Sequence, residues 1–277
     1  MKDFIREIID KSSPRQDNEN RLREYIQKYL LYILYRKKIY HNLIFTGGTA
    51  LRFLFKIRRF SEDLDFSLSE KAKGYNFLKI LEMGQKELIL AGYKVEIKYS
   101  LEKTVHNAFL KFPDLLYEYG ISPHKDEKIS IKIEIDTSPP LGGKEEVTLY
   151  DSIFMFYILH YDLPSLFAGK LHALLCREYT KGRDWYDLLW YLTNFRDLEP
   201  NFVMLNNAIK QTFGRDIEIR RENWKKLLKK EVDELDVEKV RGDVGRFLEN
   251  HADIEFLNKE NLYRSLRGET GSSHITQ

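Results

Sequence analysis

A single cysteine, Cys176, is all that the 277 residues provide, so no internal disulfide can form. A secreted, disulfide-stapled scaffold is thereby excluded and a reducing compartment expected. Long apolar runs are missing as well: the most apolar stretches, Tyr29 to Tyr35 and Ile153 to Leu159, fall far short of the ~20 residues that cross a bilayer. The residues Met1-Lys2-Asp3-Phe4-Ile5-Arg6-Glu7 carry charge of both signs, where an export signal requires an unbroken apolar stretch. A cytoplasmic chain without membrane association is the expectation. Nor does one sign of charge prevail, since 45 Lys+Arg against 43 Asp+Glu leave a formal net charge of +2. Any nucleic-acid surface must therefore come from local clustering.

Several signatures of chemistry are absent too. Gly142-Gly143-Lys144 is followed by Glu145, so a phosphate-binding P-loop fails, and no Gly-x-Ser-x-Gly elbow occurs. The histidines at 41, 106, 124, 160, 172, 251 and 274 show no close metal-ligand spacing, which argues against zinc. Cys176, inside a helical apolar pattern, reads as a small core residue rather than a nucleophile. What is present is 43% apolar, 13% aromatic and 32% charged residues, the mixture of a folded protein long enough for one large domain or two small ones.

Apolar residues Leu22, Tyr25, Ile26, Tyr29, Leu30, Ile33 and Leu34 recur at helical spacing, predicting an amphipathic helix from Asn18 to about Lys38. Leu43 to Phe45 reads as a short buried strand stopped by Gly47-Gly48, with a helix from Thr49 to Lys56 and a second strand from Asp63 to Leu68. A helix over Tyr75 to Ala91 closed by Gly92, strands at Tyr93 to Ser100 and Val105 to Phe112, and a surface loop over Pro113 to Lys128 follow. Ile129, Ile131, Ile133 and Ile135 alternate with Ser130, Lys132, Glu134 and Asp136, the period of a half-buried strand. After an apolar stretch at Ile153 to Tyr161 the strand signals cease, and everything from Leu163 to about Tyr263 fits helices. The expected organisation is an α+β half followed by a helical half: N-terminal helices over 1–40, a mixed domain over 41–162, a helical domain over 163–265 and a flexible tail over 266–277. No internal repeat is present.

Thr46-Gly47-Gly48-Thr49 lies between a strand and a helix, where glycines allow close backbone approach and free N–H groups favour a phosphate. Asp63 and Asp65, two apart on a strand, leave the same face and can grip a hard cation such as Mg²⁺. A two-metal site needs a third carboxylate, and Glu134 or Asp136 can supply it if their strand neighbours Asp63 to Leu68; Glu134, at mid-strand, is preferred. A lone Gly-Gly is usually a turn, and Asp-x-Asp usually a solvated face; their succession is what points to a site. In the helical half, Lys170, Ala173 and Arg177 share one helix face, and Asp184, Asp187 and Tyr191 share a face of the next. Lys170 and Arg177 turned toward the acidic pair would neutralise a triphosphate, with Asp184 or Asp187 orienting them or touching the ribose. An inter-helix salt-bridge set is the plainer alternative. Arg220-Arg221 and Lys225-Lys226 with Lys229-Lys230 form basic clusters beside Trp224, diluted by Glu231, Asp233, Glu234 and Asp236.

Together the segments Phe-Thr-Gly-Gly-Thr-Ala-Leu-Arg-Phe (45–53), Arg-Phe-Ser-Glu-Asp-Leu-Asp-Phe (59–66), Ile-Lys-Ile-Glu-Ile (131–135), Ala-Gly-Lys-Leu-His-Ala-Leu (168–174) and Lys-Gly-Arg-Asp-Trp-Tyr-Asp-Leu (181–188) resemble the AbiEii/AbiGii toxin family. That family is similar to polymerase β-type nucleotidyltransferases, and its studied members are toxins of toxin–antitoxin or phage-defence systems. The resemblance implies a nucleotidyltransferase-type mixed sheet with flanking helices, followed by a C-terminal helical bundle. It implies that Gly47, Gly48 and Thr49 hold the triphosphate, that Asp63 and Asp65 bind Mg²⁺, and that Lys170 and Asp184 are needed for activity. With Glu134 as third ligand and possible base, two Mg²⁺ ions would serve in-line attack of an acceptor hydroxyl on a nucleoside triphosphate, releasing pyrophosphate. The 3′ end of tRNA is the expected acceptor and a cognate antitoxin the expected protein partner; a small-molecule acceptor and a non-enzymatic binding module are the alternatives. One departure is that many relatives carry Glu where this chain has Gly169.

Overall fold

Alternation of isoleucine with polar residues makes Ile129–Asp136 a strand buried on one face only, and Ile131 and Ile135 have no solvent exposure. Around it the computed structural model, which describes residues 2–177, 179, 181–214 and 218–269, builds a seven-stranded sheet. In chain order the elements of the first half are helices α1 (Lys2–Ile8) and α2 (Arg15–Arg36), strand β1 (Leu43–Thr46), α3 (Gly47–Phe55), β2 (Asp63–Leu68) and α4 (Phe77–Leu90). Next come β3 (Glu96–Ser100), β4 (Val105–Phe112), the helical turn α5 (Leu115–Glu118), β5 (Ile129–Asp136), β6 (Glu145–Asp151) and β7 (Met155–Tyr161). The spatial order is β3-β4-β5-β2-β1-β7-β6. β2 pairs antiparallel with β1 and parallel with β5, and β5 pairs antiparallel with β4.

One face of this sheet is the core. Leu64 lies opposite Ile133 and Phe66 opposite Ile135, with Phe45 opposite Phe66 and their rings 5.4 Å apart. Helix α2 covers β5 with the apolar stripe expected from its periodicity, burying Leu22, Tyr25, Ile26, Tyr29, Leu30 and Ile33. Each such side chain taken out of water contributes about 1.5 to 3 kcal/mol before conformational entropy is subtracted. The opposite face keeps the polar residues of β2 and β5 in partial contact with solvent.

The second half is helical: α6 (Leu163–Cys176), α7 (Gly182–Asn194), α8 (Phe202–Phe213), α9 (Trp224–Asp233), α10 (Val237–Val244) and α11 (Lys259–Arg267), with 3₁₀ turns at Gly245–Phe247 and His251–Phe256 between the last two. Asp162 caps α6 by accepting from the Ser165 N–H at 2.9 Å, and Pro164 sits in the first turn, where a missing N–H costs nothing. By its internal contacts the chain divides into two compact units, Met1–Lys56, Phe60–Pro139 and Glu145–His160 forming the first, and Ile57–Arg59, Pro140–Lys144 and Tyr161–Gln277 the second. No helix among the described residues is long and apolar enough to cross a membrane.

Four local expectations change. The segment 113–128 is not simply a surface loop, because α5 and the turn after it bury Leu115, Leu116 and Ile121. Strand β6 escapes the sequence reading: its Val147 and Leu149 alternate with polar residues but remain exposed, so no apolar run announces it. Helix α3 begins at Gly47 rather than Thr49, the two glycines forming its first turn. The tail expected over 266–277 begins inside α11, and from residue 270 onward it lies outside the described residues.

Two glycines of the helical half give opposite expectations. A methyl group at Gly169 would meet nothing within 4 Å, whereas one at Gly182 would sit 2.2 Å from the Val240 carbonyl oxygen. Gly169→Ala is expected to stabilise the chain by about 0.5 to 1 kcal/mol, and Gly182→Ala to destabilise it by about 1 to 3 kcal/mol. Urea midpoints at neutral pH check both signs.

Candidate functional site

Strand β1 runs directly into α3, and Gly47 at that junction has φ +75°, a conformation that side chains other than glycine adopt only with strain. Space imposes the same choice: a Cβ on Gly47 would lie 2.2 Å from Oδ2 of Asp65. Thr46 occupies the N-cap without a side-chain bond to the first turn, leaving the early N–H groups of α3 for an anion. The fully buried Thr49 turns its hydroxyl inward and donates to the Asp63 carbonyl. Its side chain therefore ties α3 to β2, and only its backbone N–H can serve a phosphate. The Gln27 amide of α2 donates to the Ser61 carbonyl at 3.0 Å and fixes the entry to the same strand.

Parallel pairing of β2 with β5 sets Asp63 opposite Lys132 and Asp65 opposite Glu134. Paired residues share a face, and one ligand atom from each of Asp63, Asp65 and Glu134 lies within 4.8 Å of the others. Asp136, opposite Ser67, stands outside this set, and its burial raises its pKa above the usual carboxylate value. Three carboxylates this close repel one another by about 1 kcal/mol per pair in water and by more near a protein surface. The chain offsets part of that with its own cation: the Lys132 ammonium is 2.8 Å from Glu134 Oε1. Burial lowers the Lys132 pKa, but Glu134, Asp63 and Asp65 together raise it above its ordinary value. An all-oxygen, half-exposed donor set that already holds one positive charge fits a hard divalent cation such as Mg²⁺.

The second unit gathers the other predicted residues around a buried arginine. Lys170 Nζ lies 2.7 Å from Asp184 Oδ1 and 2.6 Å from Asp187 Oδ2, joining α6 to α7. Arg177, which ends α6, also pairs with Asp184. Arg59, 1% exposed, grips Asp187 with both ends of its guanidinium, Nε to Oδ1 at 2.5 Å and Nη2 to Oδ2 at 2.6 Å. Asp187 is 0% exposed, with its oxygens engaged by Arg59 and Lys170, so its carboxylate belongs to the interior rather than to a ribose-contacting surface. Burial alone would raise the Asp184 pKa; Lys170, then Arg177 and Lys181, more than reverse this and hold it well below the usual carboxylate range. Lys170 feels the mirror image, burial lowering its pKa and Asp184 and Asp187 keeping it above the ordinary ammonium value.

Along the sequence Arg59 lies in a short basic loop with Arg58, and sequence reasoning does not pair it with Asp187. It also missed why a glycine precedes Arg183, which is the close approach of α7 to α10; the Gly182 N–H donates to Asp243 at 2.7 Å. In the basic cluster near Trp224, Arg220 pairs with Glu218 and Arg221 with Glu199 at 2.5 Å, and Trp224 itself is buried. Cys176 is half-buried, and burial pushes its thiol up to about 11, which leaves it un-ionised and unreactive at neutral pH.

A family model described as nucleotidyl transferase AbiEii toxin, type IV TA system, matches residues 29–260. No curated protein matches the chain. Among solved structures, a candidate nucleotidyltransferase from H. pylori superposes with a TM-score of 0.52 at 18% identity, covering 88% of this chain and 96% of that one. JHP933 from Helicobacter pylori gives 0.49 at 16% identity, covering 88% and 89%. At 18% identity the first of these is a likeness of fold alone, a mixed sheet with flanking helices.

The buried network generates two stability expectations. Asp187→Asn removes the buried carboxylate charge that Arg59 and Lys170 share and is expected to cost about 3 to 5 kcal/mol, read from urea unfolding. Asp184 has a folded-state pKa below its unfolded value of 3.8, so its contribution is complete above that value and fades as pH falls toward the folded one. Stability is therefore expected to decline below about pH 4, and an Asp184→Asn variant should show a shallower decline over the same range.

Proposed function

The chain belongs to the AbiEii nucleotidyl transferase toxin family of type IV toxin–antitoxin systems, which brings a nucleoside triphosphate substrate and an antitoxin partner, and from that premise we propose that it transfers a nucleotide to the 3′ end of tRNA. The observation that carries this reading is the convergence of Asp63, Asp65 and Glu134 beside the Gly47 turn. An acceptor hydroxyl attacks the α-phosphorus in line; the new P–O bond forms as the bond to the β-phosphate oxygen breaks, and pyrophosphate leaves. The N–H groups of Gly47, Gly48 and Thr49 at the start of α3 orient the phosphates. Asp63, Asp65 and Glu134 would hold a pair of Mg²⁺ ions, which supply charge neutralisation at the phosphates and acidify the attacking hydroxyl.

Glu134, held in orientation by Lys132, would also take the hydroxyl proton. Lys170 and Asp184 form a charged pair fixed by Arg59 and Asp187, and we assign them as required for activity. Arg177 is the more exposed cation of that group, with 30% of its side chain accessible, and is the member suited to a phosphate contact.

The test is incubation with α-labelled nucleoside triphosphates, total RNA and Mg²⁺. Labelled tRNA is expected, and no label with EDTA until Mg²⁺ is restored. Asp65→Asn should reduce labelling by roughly 100-fold or more, and Gly47→Ala should follow it, because the added methyl displaces the Asp65 carboxylate. Label appearing only on a small molecule would replace the acceptor; equal labelling by wild type and Asp65→Asn would end the transferase assignment for this site.

A further inference from the structure

The open face of the sheet carries one large aromatic ring close to the carboxylate set. Phe109 is 36% exposed, although its neighbours Ala108 and Leu110 on the same strand are buried in the core. Pairing aligns it in a single transverse row: Lys98 on β3 lies opposite Phe109 on β4, Phe109 opposite Lys132 on β5, and Lys132 opposite Asp63 on β2. Directly paired residues point to the same side, so the ring stands between two lysines on the face that bears the acidic set. The Lys132 ammonium is 5.8 Å from the ring centre and 2.8 Å from Glu134. In the next row Ser100, Asn107, Glu134, Asp65 and Thr46 are aligned in the same way.

Chemical direction follows from strand order. The Gly47 turn, where the phosphates are expected, lies on the β1 side of the carboxylates, while Phe109 lies beyond β5 on the β4 side. In-line transfer puts the attacking hydroxyl and the departing pyrophosphate on opposite sides of the α-phosphorus. With pyrophosphate leaving toward β1, the acceptor enters from β4. Phe109 stands two inter-strand spacings, about 10 Å, from Asp63 along their shared row, a span that a base and its ribose bridge. An aromatic ring flanked by cations is the chemistry that single-stranded RNA uses, bases stacking on the ring and phosphates meeting the lysines.

We propose that Phe109, with Lys98 beside it, is the acceptor platform, on which the unpaired 3′-terminal base of the RNA stacks so that its ribose hydroxyl reaches the Asp63–Asp65–Glu134 set. The inference rests on the transferase reading above and adds to it the position and polarity of the acceptor. The incoming nucleotide's own base lies on the other side of the carboxylates and does not use this ring.

Steady-state labelling with total tRNA and a short RNA oligonucleotide ending in 2-aminopurine test it together. Phe109→Ala should raise the KM for tRNA about tenfold and leave the KM for the nucleoside triphosphate unchanged, while Phe109→Trp should stay near wild type. Wild-type protein should quench the terminal 2-aminopurine, and Phe109→Ala and Phe109→Leu should not. Lys98→Ala should weaken oligonucleotide binding and reduce its log–log salt slope by about one. A raised KM for the nucleoside triphosphate with Phe109→Ala would assign the ring to the nucleotide and overturn the proposal, as would unchanged tRNA KM and quenching in both variants. Those results with Asp65→Asn still inactive sink only the platform; an active Asp65→Asn sinks the transferase reading beneath it.

Discussion

Everything in the candidate site depends on the parallel register between β2 and β5. It sets Asp65 opposite Glu134 and Leu64 opposite Ile133, so the alternation that buries isoleucine and leucine on one face delivers carboxylates to the other. A slip of one residue would expose Ile131, Ile133 and Ile135 and bury Lys132 and Glu134. The hydrophobic penalty for that slip is the force that holds the acidic residues in place. The acidic set is positioned by apolar side chains on the opposite face of the sheet.

Holding three carboxylates together works against folding, and the structure answers with local devices rather than distance. Lys132 neutralises part of the charge from within the same strand, Thr49 and Gln27 fix the backbone of β2, and the absence of a side chain at Gly47 leaves Asp65 its room. The same glycine whose φ is +75° is thus needed both for the backbone path and for the side chain opposite. Such a cluster is suited to a cation it does not itself supply, which is why the family assignment and the geometry point to the same chemistry.

The second unit solves the opposite problem. There the charges are buried, and each carboxylate has cations against it: Asp187 meets Arg59 and Lys170, and Asp184 meets Lys170 and Arg177. Desolvating such groups costs several kcal/mol each, and only dense pairing offsets it. The outcome is a rigid join between α6 and α7 that keeps Lys170 charged. The salt-bridge alternative weighed for these residues and a role in activity are therefore compatible, since a lysine locked by two aspartates is also a lysine held in one position.

The sequence by itself determined the elements whose signal lies in neighbouring residues. The isoleucine alternation of β5, the apolar stripe of α2, the glycine turn before α3 and the paired aspartates of β2 were all legible, because local periodicity is imposed by backbone geometry. Tertiary structure alone decided which distant segments meet. It brought Glu134 rather than Asp136 beside Asp63 and Asp65 by register, joined Arg59 of a short basic loop to Asp187, buried Leu115, Leu116 and Ile121 inside a stretch that reads as polar, and admitted β6 without an apolar run. These are contacts between residues far apart along the chain, and what settles them is the joint burial of surfaces and the pairing of charges, neither of which any local window contains.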